Sequence, residues 1–368
     1  MKTTRLILIG GFLGAGKTTL IWETASRLTK SGLKTGLVTN DQAPDLVDTA
    51  LLKHQNLNIA EVSGSCFCCN FNGLKDALAQ VNTGKDTDII IAEPVGSCTD
   101  LSATILQPMK KMMQGQLVIS PFTVLADPLK LIEVLSKRPH IMHPGAAYIF
   151  LKQLEESDII LITKTDTLTQ QQTSEIISMT KERFPFSEVM AISSVTGEGI
   201  EEWLKLVTTR TDAGKRITEV DYDIYAEGEA VMGWLNASLS LHGNNINWEN
   251  FGENLMKKLA VKFDGIHAPV GHVKIIIENG KDYFTGNLTG GPESLSFRGK
   301  CGVAGEVQMI VNARVEMSPE QLDKIIRDEI AEAAGTLITI AASSWKCLSP
   351  GRPNPTWRFS EVVPAWEK

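Results

Sequence analysis

The chain has 368 residues, 43% hydrophobic and 21% charged, with a formal net charge of −7. That length accommodates two domains and a large buried core. No apolar run approaches the roughly 18 residues of a membrane helix, and no dense Lys/Arg block is present, so neither a membrane nor nucleic acid is expected as a partner. Six cysteines without a secretory leader predict a reducing, cytoplasmic setting, where clustered thiols serve as ligands more readily than as disulfides.

The first element is an apolar strand from Leu6 that runs into Gly11-Phe-Leu-Gly14-Ala15-Gly16-Lys17-Thr18-Thr19 and a helical pattern. This span fits G-x-x-x-x-G-K-[ST] with no mismatch. Glycines let successive backbone N–H groups turn inward around a phosphate, and the following helix points its positive end at the same anion. Lys17 is placed to bridge the β- and γ-phosphates and the Thr18 hydroxyl to ligate Mg²⁺. Gly11, Gly14, Ala15, Gly16 and Thr19 complete the expected nucleotide loop. The start, MKTTR before an apolar run, also resembles a secretory leader. The run continues into GKTT and an amphipathic helix, however, where a leader would end at a small-residue cleavage site.

Strands and helices alternate through the first two hundred residues, the pattern of a mostly parallel, doubly wound α/β sheet. A strand at Thr35–Thr39 leads into Asn40-Asp41-Gln42-Ala43-Pro44-Asp45, and a strand at Leu57–Val62 leads into Gly64-Ser65-Cys66-Phe67-Cys68-Cys69-Asn70. Three thiols within four residues suit Zn²⁺ and other soft or borderline cations and leave a fourth position open, which favours handing a metal on. A redox pair and plain buried thiols are the competing readings. The position at a parallel strand end, where ligand sites of such sheets gather, favours the metal. The strand Asp88–Ala92 ends in Glu93-Pro94-Val95-Gly96. There a carboxylate can reach the Mg²⁺ water shell and a glycine can bring its backbone to the γ-phosphate. One strand is expected over Gln116–Ala126, ended by Asp127-Pro128.

The strand Asp158–Ile162 leads into Thr163-Lys164-Thr165-Asp166, which resembles the Asn-Lys-x-Asp motif of GTPases with Thr for Asn. Asp166 can accept two hydrogen bonds from guanine N1 and N2, which adenine does not offer, while the Lys164 stem lies along the base plane. The loop Ser193-Ser194-Val195-Thr196-Gly197-Glu198-Gly199 then stands where the backbone N–H groups of Ser194 and Val195 would meet the guanine O6.

In this order, GGFLGAGKTTL, CFCC, EPVG, TKTD and SSVTGEGI resemble the CobW-type metallochaperone GTPases, relatives of the urease and hydrogenase maturation GTPases, over about residues 4 to 210. The resemblance implies a GTP-hydrolysing protein, cycling between GTP and GDP with Mg²⁺, that holds Zn²⁺ or Co²⁺ and delivers it to a client metalloenzyme. It places the transition metal on Cys66, Cys68 and Cys69, with Asp41 as a further candidate ligand, and Mg²⁺ on Thr18 and Glu93. The candidate catalytic set is Lys17, Asp41 and Asp48, with Asp45 a further candidate; the sequence does not select which of the three aspartates orients the attacking water. Hydrolysis without a partner is expected to be slow, because no arginine is evidently placed to neutralise the transition state. The chain departs from the family pattern in two respects. Asn40–Asp45 replaces an Asn-Glu-Phe-Gly-Glu-like segment, and the six histidines form no His-rich tract. Two other readings stand beside the first: a GTP-dependent chaperone or reactivator of a cobalamin-dependent enzyme, with a corrinoid protein as partner, and a nucleotide-regulated module with a structural zinc. A homodimer is compatible with each.

Residues 1–210 are read as the P-loop GTPase domain, 211–225 as a polar linker and 226–368 as a smaller α+β domain that docks the client. In that last part, strand–helix–strand–strand–helix–strand predicts a ferredoxin-like arrangement, the second helix starting at Ser318-Pro319. His140, His143, His267, His272 and Cys347 read first as structural. The Pro-rich end with Trp357, Phe359 and Trp366 is either an arm packed on the second domain or a docking edge.

Overall fold

The computed structural model describes residues 3–41, 47, 50, 57–84, 86–136 and 142–365. The described residues fall into two compact units: 3–41, 57–228 and 352–365 in the first, and 229–351 with Val47 and Ala50 in the second.

The first unit is built on parallel strands β1 (Thr4–Gly11), β2 (Thr35–Asp41), β3 (Asn58–Ser63), β4 (Ile89–Glu93), β5 (Leu117–Ile119), β6 (Thr123–Ala126), β7 (Ile159–Ile162) and β8 (Glu188–Ala191). Their order is β3-β2-β4-β1-β6-β7-β8, with β5 also against β1. The helices are α1 (Lys17–Lys30), α2 (Phe71–Val81), α3 (Gln107–Met112), α4 (Pro128–Leu135), α5 (Pro144–Glu156), α6 (Gln170–Arg183), α7 (Ile200–Thr209) and α8 (Tyr222–Ala230). The central strands are apolar on both faces because helices cover both sides of the sheet; Ile7, Ile9, Ile91, Leu125 and Leu161 are at most 1% exposed. Trp203 of α7 is fully buried and spends its indole N–H on Thr123 Oγ1, 3.1 Å away.

The single strand expected over Gln116–Ala126 is two, β5 and β6. Pro121 lies in the gap and has no N–H to offer a ladder. β1 pairs first with β5 through Thr4–Leu6 and then with β6 through Ile9–Gly11. The stretch 211–225 is tied to the first unit. Asp158 accepts from the backbone N–H groups of Gly214 (2.6 Å) and Lys215 (3.1 Å), and α8 begins at Tyr222.

The second unit is antiparallel: β9 (Met232–Asn247), α9 (Trp248–Gly265), β10 (Val270–Glu278), β11 (Tyr283–Leu288), β12 (Ser296–Gly299), β13 (Val303–Glu316), α10 (Pro319–Ala334) and β14 (Ile338–Leu348). Its strand order is β12-β11-β10-β13-β9-β14. Removing β11 and β12 leaves β10-β13-β9-β14 with helices after the first and third of these strands in the chain, the split βαβ arrangement. One core joins Trp248, Leu255 and Phe263 of α9 and Ile326 of α10 to Leu239, Ile275 and Val311 of the sheet. Ser318 caps α10, its hydroxyl accepting from Gln321 N at 3.3 Å. The short exposed strand β12 carries no apolar alternation and escaped the sequence reading.

The Pro-rich end departs from the expected boundary of 226–368. Residues 352–365 belong to the first unit, because Thr356 N donates to Cys68 O (2.8 Å) and Arg358 pairs with the buried Asp100 (2.7 Å). Trp366 lies outside the described residues.

Candidate nucleotide and metal site

Parallel pairing puts the loops after β1, β2, β3, β4, β6, β7 and β8 at one edge of the sheet, the edge where ligand sites of open α/β sheets form. After β1 the backbone turns through Gly11, Gly14 and Gly16 at φ of 136°, 79° and 92°. A Cβ on Gly11 would stand 2.6 Å from Leu125 O, so only glycine fits. Lys17 and Thr18 open α1 and are each 8% exposed, and Lys17 Nζ reaches back to Gly11 O at 2.8 Å. Glu93, also 8% exposed, closes β4. A Cβ on Gly96 would lie 2.8 Å from Leu13 Cδ2 and 3.0 Å from Lys17 Nζ, so the Glu-x-x-Gly segment runs against the phosphate loop itself.

At the base end, Thr163 stands where the base-reading pattern has Asn. Its hydroxyl donates to Ala15 O at 2.9 Å and so ties this loop to the phosphate loop. Lys164 adopts a left-handed backbone, φ 56°, and its ammonium pairs with Asp127 Oδ2 at 2.7 Å. Burial pushes the Asp127 carboxyl up, but the Lys164 charge and hydrogen bond outweigh it and hold the group below its ordinary range. Asp166 accepts from Ser193 Oγ at 2.5 Å. The same Ser193 oxygen takes the N–H groups of Val195 (3.2 Å) and Thr196 (3.1 Å). Ser194 is half-buried and the Val195 side chain is 79% exposed.

After β3 the thiols of Cys66, Cys68 and Cys69 come within 4.8 Å of one another, the first two buried. The Cys66–Cys68 sulfur separation is 3.0 Å and the Cys68–Cys69 separation 3.8 Å. Hydrogen bonds from Cys68, then Cys69 and Cys98, hold the Cys66 thiol well below its ordinary value. Donation to Cys66 raises Cys68 well above its own and Cys69 to about 11. Of the three thiols, Cys66 is therefore the one that gives up its proton most readily. Asn40, at the end of β2, holds this loop: its amide donates to Val62 O and Ser65 O, both at 2.8 Å, and its carbonyl accepts from Phe67 N at 2.7 Å.

The sequence model described as CobW/HypB/UreG, nucleotide-binding domain, matches residues 5–189. The chain belongs to the CobW/HypB/UreG family. The zinc chaperone YjiA of Escherichia coli (strain K12) is 27% identical over 168 residues, 45% of this chain and 51% of YjiA, so the match spans about half of that relative's length. Among solved structures, HypB from Helicobacter pylori in complex with nickel gives a TM-score of 0.40 at 15% identity, covering 55% of this chain and 85% of HypB. The Zn(II)-bound YjiA GTPase from E. coli gives 0.37 at 16%, covering 90% of this chain and 99% of YjiA. Scores this low add nothing to the fold described above.

For this CobW/HypB/UreG member, the structure gathers the expected cysteines, but Asp41 is not in the group they form. Asp41 is buried at the end of β2, in register with Ser63. Asp45, Asp48 and His140 lie outside the described residues. His143 caps α5, its ring accepting from Gly145 N at 3.1 Å. The Cys347 thiol donates to Pro319 O at 3.2 Å in the second unit. Three residues escaped the sequence reading: Asn40, Lys130 and Cys98. Lys130 Nζ donates to Leu13 O at 2.6 Å; burial brings it down to about 8 against the pull of Asp127, with Lys164 and Lys17 adding to the drop. The signal for it was its place three residues after the strand-ending Asp127, in a helix whose first N–H groups that aspartate caps.

Proposed function

We propose that this chain binds and slowly hydrolyses GTP and couples the nucleotide to a transition metal, Zn²⁺ or Co²⁺, held at Cys66, Cys68 and Cys69 for delivery to a client metalloenzyme. The observation that carries this reading is the shared edge. The end of β2 supplies Asn40 to the cysteine loop, and β4, between β2 and β1, ends in Glu93 and leads to Gly96, which packs against the phosphate loop at the same edge of the sheet. The similarity to the zinc chaperone YjiA supports a metal as the cargo.

In this reading the N–H groups of the Gly11–Thr19 loop receive the phosphates, Lys17 spans the β- and γ-phosphates, and Thr18 and Glu93 hold Mg²⁺ directly or through water. Mg²⁺ supplies charge neutralisation at the phosphates. Asp166, fixed by Ser193, pairs guanine N1 and N2, and the backbone of Ser194 and Val195 faces the guanine O6. Cys66 offers the first thiolate to a metal, and Cys68 and Cys69 release protons as they bind. Asp41 is the described acidic residue left to orient water.

Titrations with fluorescent GDP and ADP test the nucleotide half of the proposal. A site that pairs guanine donors should favour GDP by about 100-fold or more, and Asp166→Ala should abolish the preference. Equal affinity for ADP would overturn it.

A further inference from the structure

The notable thiol outside the three-cysteine loop is Cys98, on the segment that leaves β4. It is 1% exposed. Its side chain engages the thiols of both Cys66 and Cys68, although it lies about thirty positions away in the chain. The backbone holds it there. Cys98 N donates to Val95 O at 3.0 Å, and Gln153 Nε2, from α5, reaches Gly96 O at 3.0 Å and Cys98 O at 2.8 Å. We infer that Cys98 is a fourth sulfur ligand, which closes the metal site of Cys66, Cys68 and Cys69 as a four-thiolate centre.

Coordination chemistry favours this assignment. Zn²⁺ takes four ligands in a tetrahedron, with Zn–S bonds of about 2.3 Å, which separates neighbouring sulfurs by about 3.8 Å. The Cys68–Cys69 pair already has that spacing at 3.8 Å, and the Cys66–Cys68 pair at 3.0 Å needs to open by less than an ångström. Three thiols leave one vertex to be filled. Cys98 stands outside the group of thiols that lie within 4.8 Å of one another, and it bonds Cys66 and Cys68 but not Cys69, so closing the tetrahedron requires Cys98 and Cys69 to draw together around the ion. When the metal binds, each S–H is replaced by an S–metal bond and its proton passes to solvent.

The position of Cys98 gives the fourth ligand a consequence. Two residues earlier, Gly96 packs against Lys17 and Leu13 of the phosphate loop. One short segment thus joins the γ-phosphate position to one vertex of the metal. A shift of that segment would withdraw a single sulfur and turn a closed site into an open three-thiolate one, the form from which a metal passes to another protein.

This inference rests on the proposed metal site, and its failure is separable from that of the site. X-ray absorption of the zinc-loaded, GDP-bound full chain counts the sulfurs directly. Four sulfurs at about 2.3 Å are expected in the wild type, and three with one lighter scatterer in Cys98→Ala. In the Co²⁺ form, the thiolate charge-transfer absorbance should fall by about a quarter in the same variant. Three sulfurs in the wild type would overturn the role of Cys98 while leaving the three-cysteine site intact. Failure of the wild type to take up one equivalent of metal, or uptake unchanged in Cys66→Ala, would overturn the site and this inference with it. Should Cys98→Ala and Cys98→Ser both fail to fold, the wild-type sulfur count decides alone.

Discussion

Replacing Asn40 with alanine removes one side chain that makes three hydrogen bonds to the backbone around the cysteines. Each is worth about 1 kcal/mol net, and a buried group left without its partner costs about 1–3 kcal/mol. Asn40 is 6% exposed, and water entering the space left behind can satisfy part of the deficit. A loss of about 2–4 kcal/mol of stability follows. In a domain of this size it lowers Tm by roughly 5–15 °C. The same bonds fix the path from Val62 to Phe67, so metal affinity should fall with them, by about 10- to 100-fold as for other residues that orient metal ligands. Asn40→Asp keeps the acceptor for Phe67 N–H but turns a carboxylate toward two carbonyl oxygens, and should be no better than alanine. The assay is competition for Zn²⁺ against a chromophoric chelator, beside thermal unfolding of the metal-free protein. An affinity within about threefold of wild type in both variants would refute the idea that Asn40 orders the metal loop.

Two further expectations concern buried charge. Glu156 is fully buried and hydrogen-bonds Ser102 N at 2.7 Å and Thr99 Oγ1 at 3.1 Å, and burial pushes its carboxyl up to about 8. The folded state therefore holds a proton that the unfolded chain releases, so this contribution is complete below about pH 4.5 and is lost as pH rises through about 8. Glu156→Gln, which mimics the protonated form, should flatten the fall in denaturant stability between those values, and a parallel fall in both proteins would argue against it. Lys130, at about 8 beside Leu13, should be recharged by an arriving phosphate. Nucleotide binding near pH 8 should then take up a fraction of a proton, seen by calorimetry in buffers of different ionisation enthalpy and absent in Lys130→Met. No buffer dependence in the wild type would refute it.

What the sequence disclosed was what lies contiguous in it. The phosphate loop, the three cysteines, the Glu93–Gly96 segment and the Thr163–Asp166 tetrapeptide each carry their spacing within a few residues. The strand alternation of β9, β10 and β13 and the cap at Ser318 made the second unit legible in the same way. The relations between motifs were not legible, because they depend on which strands become neighbours. Asn40 meets the cysteine loop only because β2 pairs with β3. Lys164 meets Asp127 only because β6 pairs with β7. Cys98 comes near the cysteine loop only because β4 pairs with β2, which in turn pairs with β3. The return of residues 352–365 to the first unit rests on Thr356 and Arg358, and no local pattern in a Pro-rich tail announces such partners.

The central claim is that one edge of the sheet links nucleotide and metal. The most direct test is the metal affinity of the reduced full chain, measured with Zn²⁺ and Co²⁺ in the presence of GDP and of a non-hydrolysable GTP analogue. A Cys66/Cys68/Cys69→Ala variant is the control. A change of about 5- to 150-fold between the two nucleotides, the usual span of coupling between linked sites, lost in the variant, is the predicted result. Metal binding that is the same with either nucleotide would contradict the account.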